Sequence, residues 1–148
     1  VSDSIKKQIC ARIQSNLEAL GPLSNGPFKV VARKLDPMQI AQVMPSLYWR
    51  PGAESQLGNG DTQGRTYTFP LVIVTHFKGA DKVEQHDDLV AAIQDAVEGD
   101  LQLNGLANVL VGGTEDPWID EQANDVGGSV IIYTVEYRRR RGAADQTY

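Results

Sequence analysis

The chain has very little of what most catalytic sites are made from. It holds one cysteine and two histidines among 148 residues. A lone cysteine, Cys10, cannot close an internal disulfide, so a reducing, cytosolic origin is expected. Cys10 follows Ile9 on a helical pattern and reads as a buried structural thiol rather than a nucleophile. No apolar run approaches the ~20 residues that cross a bilayer, and the opening residues are polar and helical in pattern, so neither a membrane span nor a signal peptide is expected. Nucleophile elbows, paired Cys-x-x-Cys motifs and Ser/His/Asp spacings are missing as well. His86-Asp87-Asp88 comes nearest to a metal set, but helical neighbours diverge by about 100° and do not converge on one ion. Acids at such a place also suit the first turns of a helix. The stretch Gly58 to Arg65 resembles a phosphate loop only in its glycines; it lacks the Lys-Ser/Thr ending and leads into a strand. The expectation is no catalytic residue, no metal, no cofactor, and no positive reason to call the chain an enzyme.

Basic residues are also scarce where acids are dense. From Asp81 to Asp125 there are twelve acids and one base, Lys82, whereas the remainder holds thirteen bases and seven acids. The net charge of −5 hides this division. A monomer polarised in this way repels itself in one orientation and attracts itself in another, although a solvated acidic face is the simpler reading for the helical part alone.

What is present is a single domain, 1–148, of ordinary soluble composition, 41% hydrophobic and 22% charged. Ile5, Ile9, Ile13, Leu17 and Leu20 form a helical stripe, capped by Ser2, Asp3 or Ser4 and stopped by Gly21-Pro22. Val83, His86, Leu89, Val90, Ile93 and Val97 form a second, ended by Gly99, with Leu101 and Leu103 tucking the exit onto the core. Phe28 to Leu35 reads as a first strand with Phe28, Val30 and Ala32 inward. Ser46 to Arg50, bounded by Pro45 and Pro51, reads as a short edge strand or arm, with Tyr48 and Trp49 on opposite faces. Arg65 to Phe77 is a major strand in which Pro70 suggests a bulge or an edge. Asn108 to Gly113 is a short strand. Residues 52–64 and 114–128 read as two long loops. The fold class is therefore α+β: an antiparallel or mixed sheet of about four main strands with two helices packed on one face.

The last strand is the most distinctive. Seven of the eight residues from Val130 to Tyr137 are β-branched or aromatic; Ile131, Tyr133, Val135 and Tyr137 share one face, and the other becomes polar towards Glu136. Arg138, Arg139, Arg140 and Arg141 follow, where the strand is expected to leave the core as a ribbon charged on both faces. Such a cluster suits an acid-bearing or phosphate-bearing partner. Tyr48, Trp49, Arg50 and Trp118, the last flanked by acids in the second loop, are further candidates for an oligomer or partner interface.

Along nearly its whole length the chain resembles the tail terminator (tail completion) proteins of long-tailed bacteriophages. The likeness lies in the opening helix, Leu35-Asp36-Pro37, Thr68-Phe69-Pro70-Leu71-Val72-Ile73-Val74 before a helix containing Asp88-Leu89, Asp100-x-x-Leu103-x-Gly105, and Val130-x-x-Tyr133-x-Val135-x-Tyr137-Arg138. The resemblance implies a subunit assembled in the host cytoplasm into a hexameric ring at the head-proximal end of the tail tube, within the virion neck. Its partners would be itself, the tail tube protein, a head-side neck or connector protein, and DNA passing through the ring channel without sequence-specific binding. In such a ring the acidic helix side of one copy can meet the basic strand end of the next, and reversing Arg139 and Arg140 to glutamate is expected to weaken assembly. Two other readings stand beside it: a head-completion or connector protein of the neck, and a nucleic-acid-binding module using Arg138 to Arg141. The negative net charge weighs against the latter.

Overall fold

The structure, a computed structural model, describes residues 4–37, 39, 42–57, 64–78, 82–119 and 126–140. Helix α1 spans Ile5–Glu18, and of the three candidate caps it is the Ser4 hydroxyl that accepts the Lys7 N–H, at 3.2 Å. Ile5, Ile9, Ile13 and Leu17 are all buried, as their spacing requires, and Cys10 lies inside with them. Burial pushes the Cys10 thiol pKa up, which keeps it protonated and unreactive. The chain then turns tightly: Gly26 donates its N–H to the Gly21 carbonyl at 2.9 Å, and a Cβ at Gly26 would lie 2.1 Å from the Leu20 carbonyl carbon.

Strands β1 (Val30–Arg33), β2 (Ser46–Pro51), β3 (Ser55–Leu57), β4 (Gly64–Lys78), β5 (Asn108–Ile119) and β6 (Val126–Arg140) form one mixed sheet, with helix α2 (Lys82–Glu98) between β4 and β5 in sequence. The order is β1-β2-β4-β6-β5, with β3 also on β4. β1 is parallel to β2, and the other pairs are antiparallel. The fold is α+β, with more strands than the sequence suggested. β4 and β6 stay in register over fifteen residues each, from Gly64↔Arg140 to Lys78↔Val126, a span of about 50 Å. Both helices contribute to the core on one face of the sheet, where Ile131, Tyr133, Val135 and Tyr137 of β6 meet Phe69, Leu71 and Ile73 of β4.

Several expectations are corrected. β2 is an interior strand, because β1 adds alongside it and its prolines sit at or beyond its ends. β1 is shorter than 28–35, and Val31 packs on the core along with Phe28, so the alternation slips one residue between them. Pro70 causes no bulge against β6. Its carbonyl accepts the Gly52 N–H at 2.6 Å, so its missing donor faces the place where β4 changes neighbours, after Pro51↔Leu71 and before Ser55↔Thr68. Of the two long loops, 52–64 contains β3, and 114–128 is largely the arms of the β5–β6 hairpin. The slip that obscured the latter is a register shift between Leu110 and Thr114, at Gly112-Gly113. Residues 58–63 and 120–125 lie outside the described residues.

Asp100 ties the helices together. Its Oδ2 accepts from Arg12 Nε and from Asn16 Nδ2, each at 2.8 Å, and its Oδ1 from the Asn104 N–H at 3.4 Å. These bonds, Arg12 first and Asn16 next, hold its pKa below the usual carboxylate value. Asn104 (φ 57°) and Gly105 (φ 81°) follow in left-handed conformation, so the Asp100-x-x-Leu103-x-Gly105 motif is a structural turn that buries Leu103. Asp100→Ala is expected to lower stability at pH 7 by about 1 kcal/mol, discounted for the solvent at this seam. Because the folded pKa is depressed, the contribution is present above the unfolded value and lost as pH falls through the folded one. Urea denaturation at pH 7 and at pH 3 checks both statements, and an equal loss at the two values contradicts them.

Candidate interaction surface

β6 carries its arginines into the ladder rather than out of it. Arg138 lies opposite Thr66, Arg139 opposite Arg65 and Arg140 opposite Gly64. β5 reaches only as far as Asn108↔Glu136, so β6 beyond that point is paired on the β4 side alone. β3 supports β4 there through Ser55↔Thr68 to Leu57↔Thr66. The basic end is therefore a three-stranded ribbon, not a free tail, which corrects the expected exit from the core. Arg141 lies outside the described residues, and Arg140 is described by its backbone alone.

The alternation of side chains holds. Arg139 shares the core-side face with Tyr137, and the exposed Arg138 takes the other. Tyr67 and Tyr137, directly opposite, stack with centroids 5.6 Å apart. Arg139 closes the stack: its guanidinium sits 4.6 Å over the Tyr67 ring and donates to the Tyr67 hydroxyl at 3.0 Å. At the other side the Tyr137 hydroxyl donates to Glu54, and burial first, then Glu54, raises its pKa. Arg65 and Arg139 form a like-charge cross-strand pair, an arrangement that is unfavourable by itself and suits a site facing an acid. A cavity of about 310 Å³ opens beside this end, where Gln102, Gly105 and Asn108 face Glu136 and Arg138. Glu54, Arg65 and Tyr67 were not singled out from the sequence, because only the β4–β6 register brings them to the arginines.

The remaining candidates separate. Trp49 is wholly buried, with its indole Nε1 donating to Gln14 Oε1 of α1 at 2.6 Å, so it is a core residue and not a surface anchor. Tyr48 and Arg50 are half-buried on the opposite face of the sheet. Lys34 Nζ lies 4.7 Å over the Tyr48 ring, and Arg33 lies 5.5 Å over Trp49. Trp118 stands on β5 opposite Gly128. On α2, Glu84, Asp87, Asp88, Asp95 and Glu98 are exposed, the solvated acidic face that the sequence implied. That face flanks the sheet in the helix layer, whereas the arginines lie at the end of β4 and β6.

His76, on β4, is buried between Ser46 and Gly128, and its pKa is lowered to about 4, by burial foremost and then by Lys34. The unfolded value is near 6.5. Stability from this residue is therefore complete above pH 6.5, falls as pH drops towards 4, and levels off below that. The loss is expected to be about 3 kcal/mol between pH 7 and pH 4. His76→Gln should flatten this part of a urea-denaturation profile, and an unchanged slope would refute the assignment.

His86 Nδ1 lies 3.2 Å from Asp87 Oδ1, and among the described residues no three His, Cys, Asp or Glu side chains gather as a metal site requires. Among them, too, no helix is long and apolar enough to cross a membrane. No protein-family model matches the chain, and no curated protein matches it. Among solved structures it is similar to a chain of the "Virion of native gene transfer agent (GTA) particle", with 14% identity, 90% of each chain covered and a TM-score of 0.39. That likeness is too loose to carry a functional assignment.

Proposed function

We propose that the chain is a structural subunit of a long-tailed, phage-like virion: a tail terminator that assembles as a hexameric ring on the head-proximal end of the tail tube. It acts by binding rather than by catalysis. The ring ends polymerisation of the tube protein, offers the surface that docks to the head-side neck or connector protein, and leaves a channel through which DNA passes without sequence-specific contact. The observation that carries this reading is the arginine end of the β4–β6 ribbon, where the exposed Arg138 and the Arg139–Arg65 pair are held in the strand ladder, apart from the acids of α2. A charged end paired on both sides of β4 fits a fixed docking face better than an unpaired nucleic-acid-binding tail. Arg138 to Arg140, with Tyr48, Arg50 and Trp118, are the proposed partner-facing residues. The likeness of the chain's order and motifs to the terminator family supports the same reading.

The test is to add the purified chain to its tube protein during polymerisation and to examine the products by electron microscopy. Tubes that stop growing, each with a ring at one end, are expected. Tubes of unchanged length with bare ends would refute the reading, and binding to a neck complex without capping would move the protein to the head side of the joint.

A further inference from the structure

The two terminal strands of the sheet's main path, β1 and β5, carry opposite charges. Among the described residues nothing pairs with the outer side of either. The β1 edge is basic: Lys29 precedes the strand, Arg33 ends it and Lys34 follows it. The β5 edge carries Glu115 and Asp116. In the helix layer the acidic α2 lies over β4, β6 and β5. Each edge also exposes a large apolar side chain, Leu35 (97% exposed) just beyond β1 and Leu110 (47%) on β5.

Exposed strand edges are templates for pairing with another chain. Just past β1, Lys34 donates its N–H to the Trp49 carbonyl at 2.9 Å, in step with the Arg33↔Trp49 register, so alternation turns the ladder groups of Val31 and Arg33 away from β2. Pro117 is tolerated on β5 because its missing N–H can face outward at an edge, and the break at Gly112-Gly113 keeps the free segment short. Charge therefore has to select the partner of so short a ladder, and the charge that complements either flank is the other flank of the same chain.

We propose that β1 of one copy pairs with β5 of the next, so that the sheet continues from subunit to subunit. Such a contact is head-to-tail, and when it closes by rotation it gives a ring in which neither of these two edges is left free. The inference rests on the self-assembling subunit described above, and it assigns the lateral contact to the flanks, leaving the arginine end for docking along the strand direction.

The test uses two full-length variants, one with Lys29→Glu, Arg33→Glu and Lys34→Glu, the other with Glu115→Lys and Asp116→Lys. All the substituted positions are at or next to an edge strand, and far-UV circular dichroism confirms folding. By native mass spectrometry, at concentrations where the wild type is oligomeric, each variant alone is expected to be monomeric. An equimolar mixture is expected to recover oligomers containing both in equal number. In the wild-type oligomer, amide exchange at Val31 and Arg33 is expected to slow at least tenfold relative to dilute monomer. A variant that assembles alone as the wild type does, folded variants that fail to co-assemble, unchanged exchange at Val31 and Arg33, or a wild type that is monomeric up to its solubility limit would each overturn the proposal. If the chain caps tubes but the variants do not complement each other, this contact fails and the terminator reading stands. If the variants complement but the rings ignore tubes, the reverse holds.

Discussion

Trp49→Ala is expected to bring the protein close to unfolding. The indole is completely buried between α1 and the sheet, and it holds Gln14 of α1 through its only polar atom. Removing it leaves a cavity the size of a bicyclic ring and strands the Gln14 carbonyl oxygen. Aromatic-to-alanine changes in a core cost roughly 3–5 kcal/mol, out of a total of roughly 5–15 kcal/mol for a domain of this size. For a chain of this length that corresponds to a fall in Tm of about 10–15 °C. Trp49→Phe should recover most of the packing and lose only the hydrogen bond, a cost of about 1–2 kcal/mol. Thermal unfolding followed by near-UV circular dichroism separates the two variants. A fall of only a few degrees for Trp49→Ala would mean that this side chain does not anchor α1 to the sheet.

Arg138→Glu combined with Arg139→Glu is expected to abolish docking at the arginine end while the fold persists. Arg138 is exposed, so its reversal disturbs little inside the protomer. Arg139 is held by Tyr67, and its reversal loses that contact, a local effect that an Arg139→Lys control isolates in part. Each interfacial charge pair that is reversed costs a few kcal/mol when desolvated, so two reversals should weaken attachment to the tube end or neck by at least about a hundredfold. Raising the salt concentration should weaken the wild type and leave the variant unaffected. Capping assays over a protein titration give the comparison. Equal capping by variant and wild type would remove the arginines from the interface.

Much of the architecture is written in local patterns. The three- and four-residue spacing of Ile5, Ile9, Ile13 and Leu17 buries a helix face wherever the helix lies, and the two-residue alternation from Ile131 to Tyr137 buries one face of β6. Pairing is not local, and there the sequence is less informative. Nothing near Ser46 to Pro51 tells that β1 will lie beside β2, which is why flanking prolines suggested an edge. The same holds for Tyr48 and Trp49: adjacency shows that they face opposite sides, but only the position of α1 decides which side is the core. The Gly112-Gly113 irregularity hid the far arm of β5, because a bulge breaks the alternation that marks a strand. Arg138, Arg139 and Arg140 were legible as a cluster, whereas their neighbours Arg65, Tyr67 and Glu54 were not, since a register over seventy residues of sequence brings them together.

The most direct measurement of the central claim is electron microscopy of particles made when this chain alone is deleted from the genome that encodes it. The account predicts overlong tail tubes of irregular length, unattached to filled heads, with normal length and joining restored when the chain is supplied in trans. Tails of normal length, joined to heads in infectious particles without the chain, would contradict it.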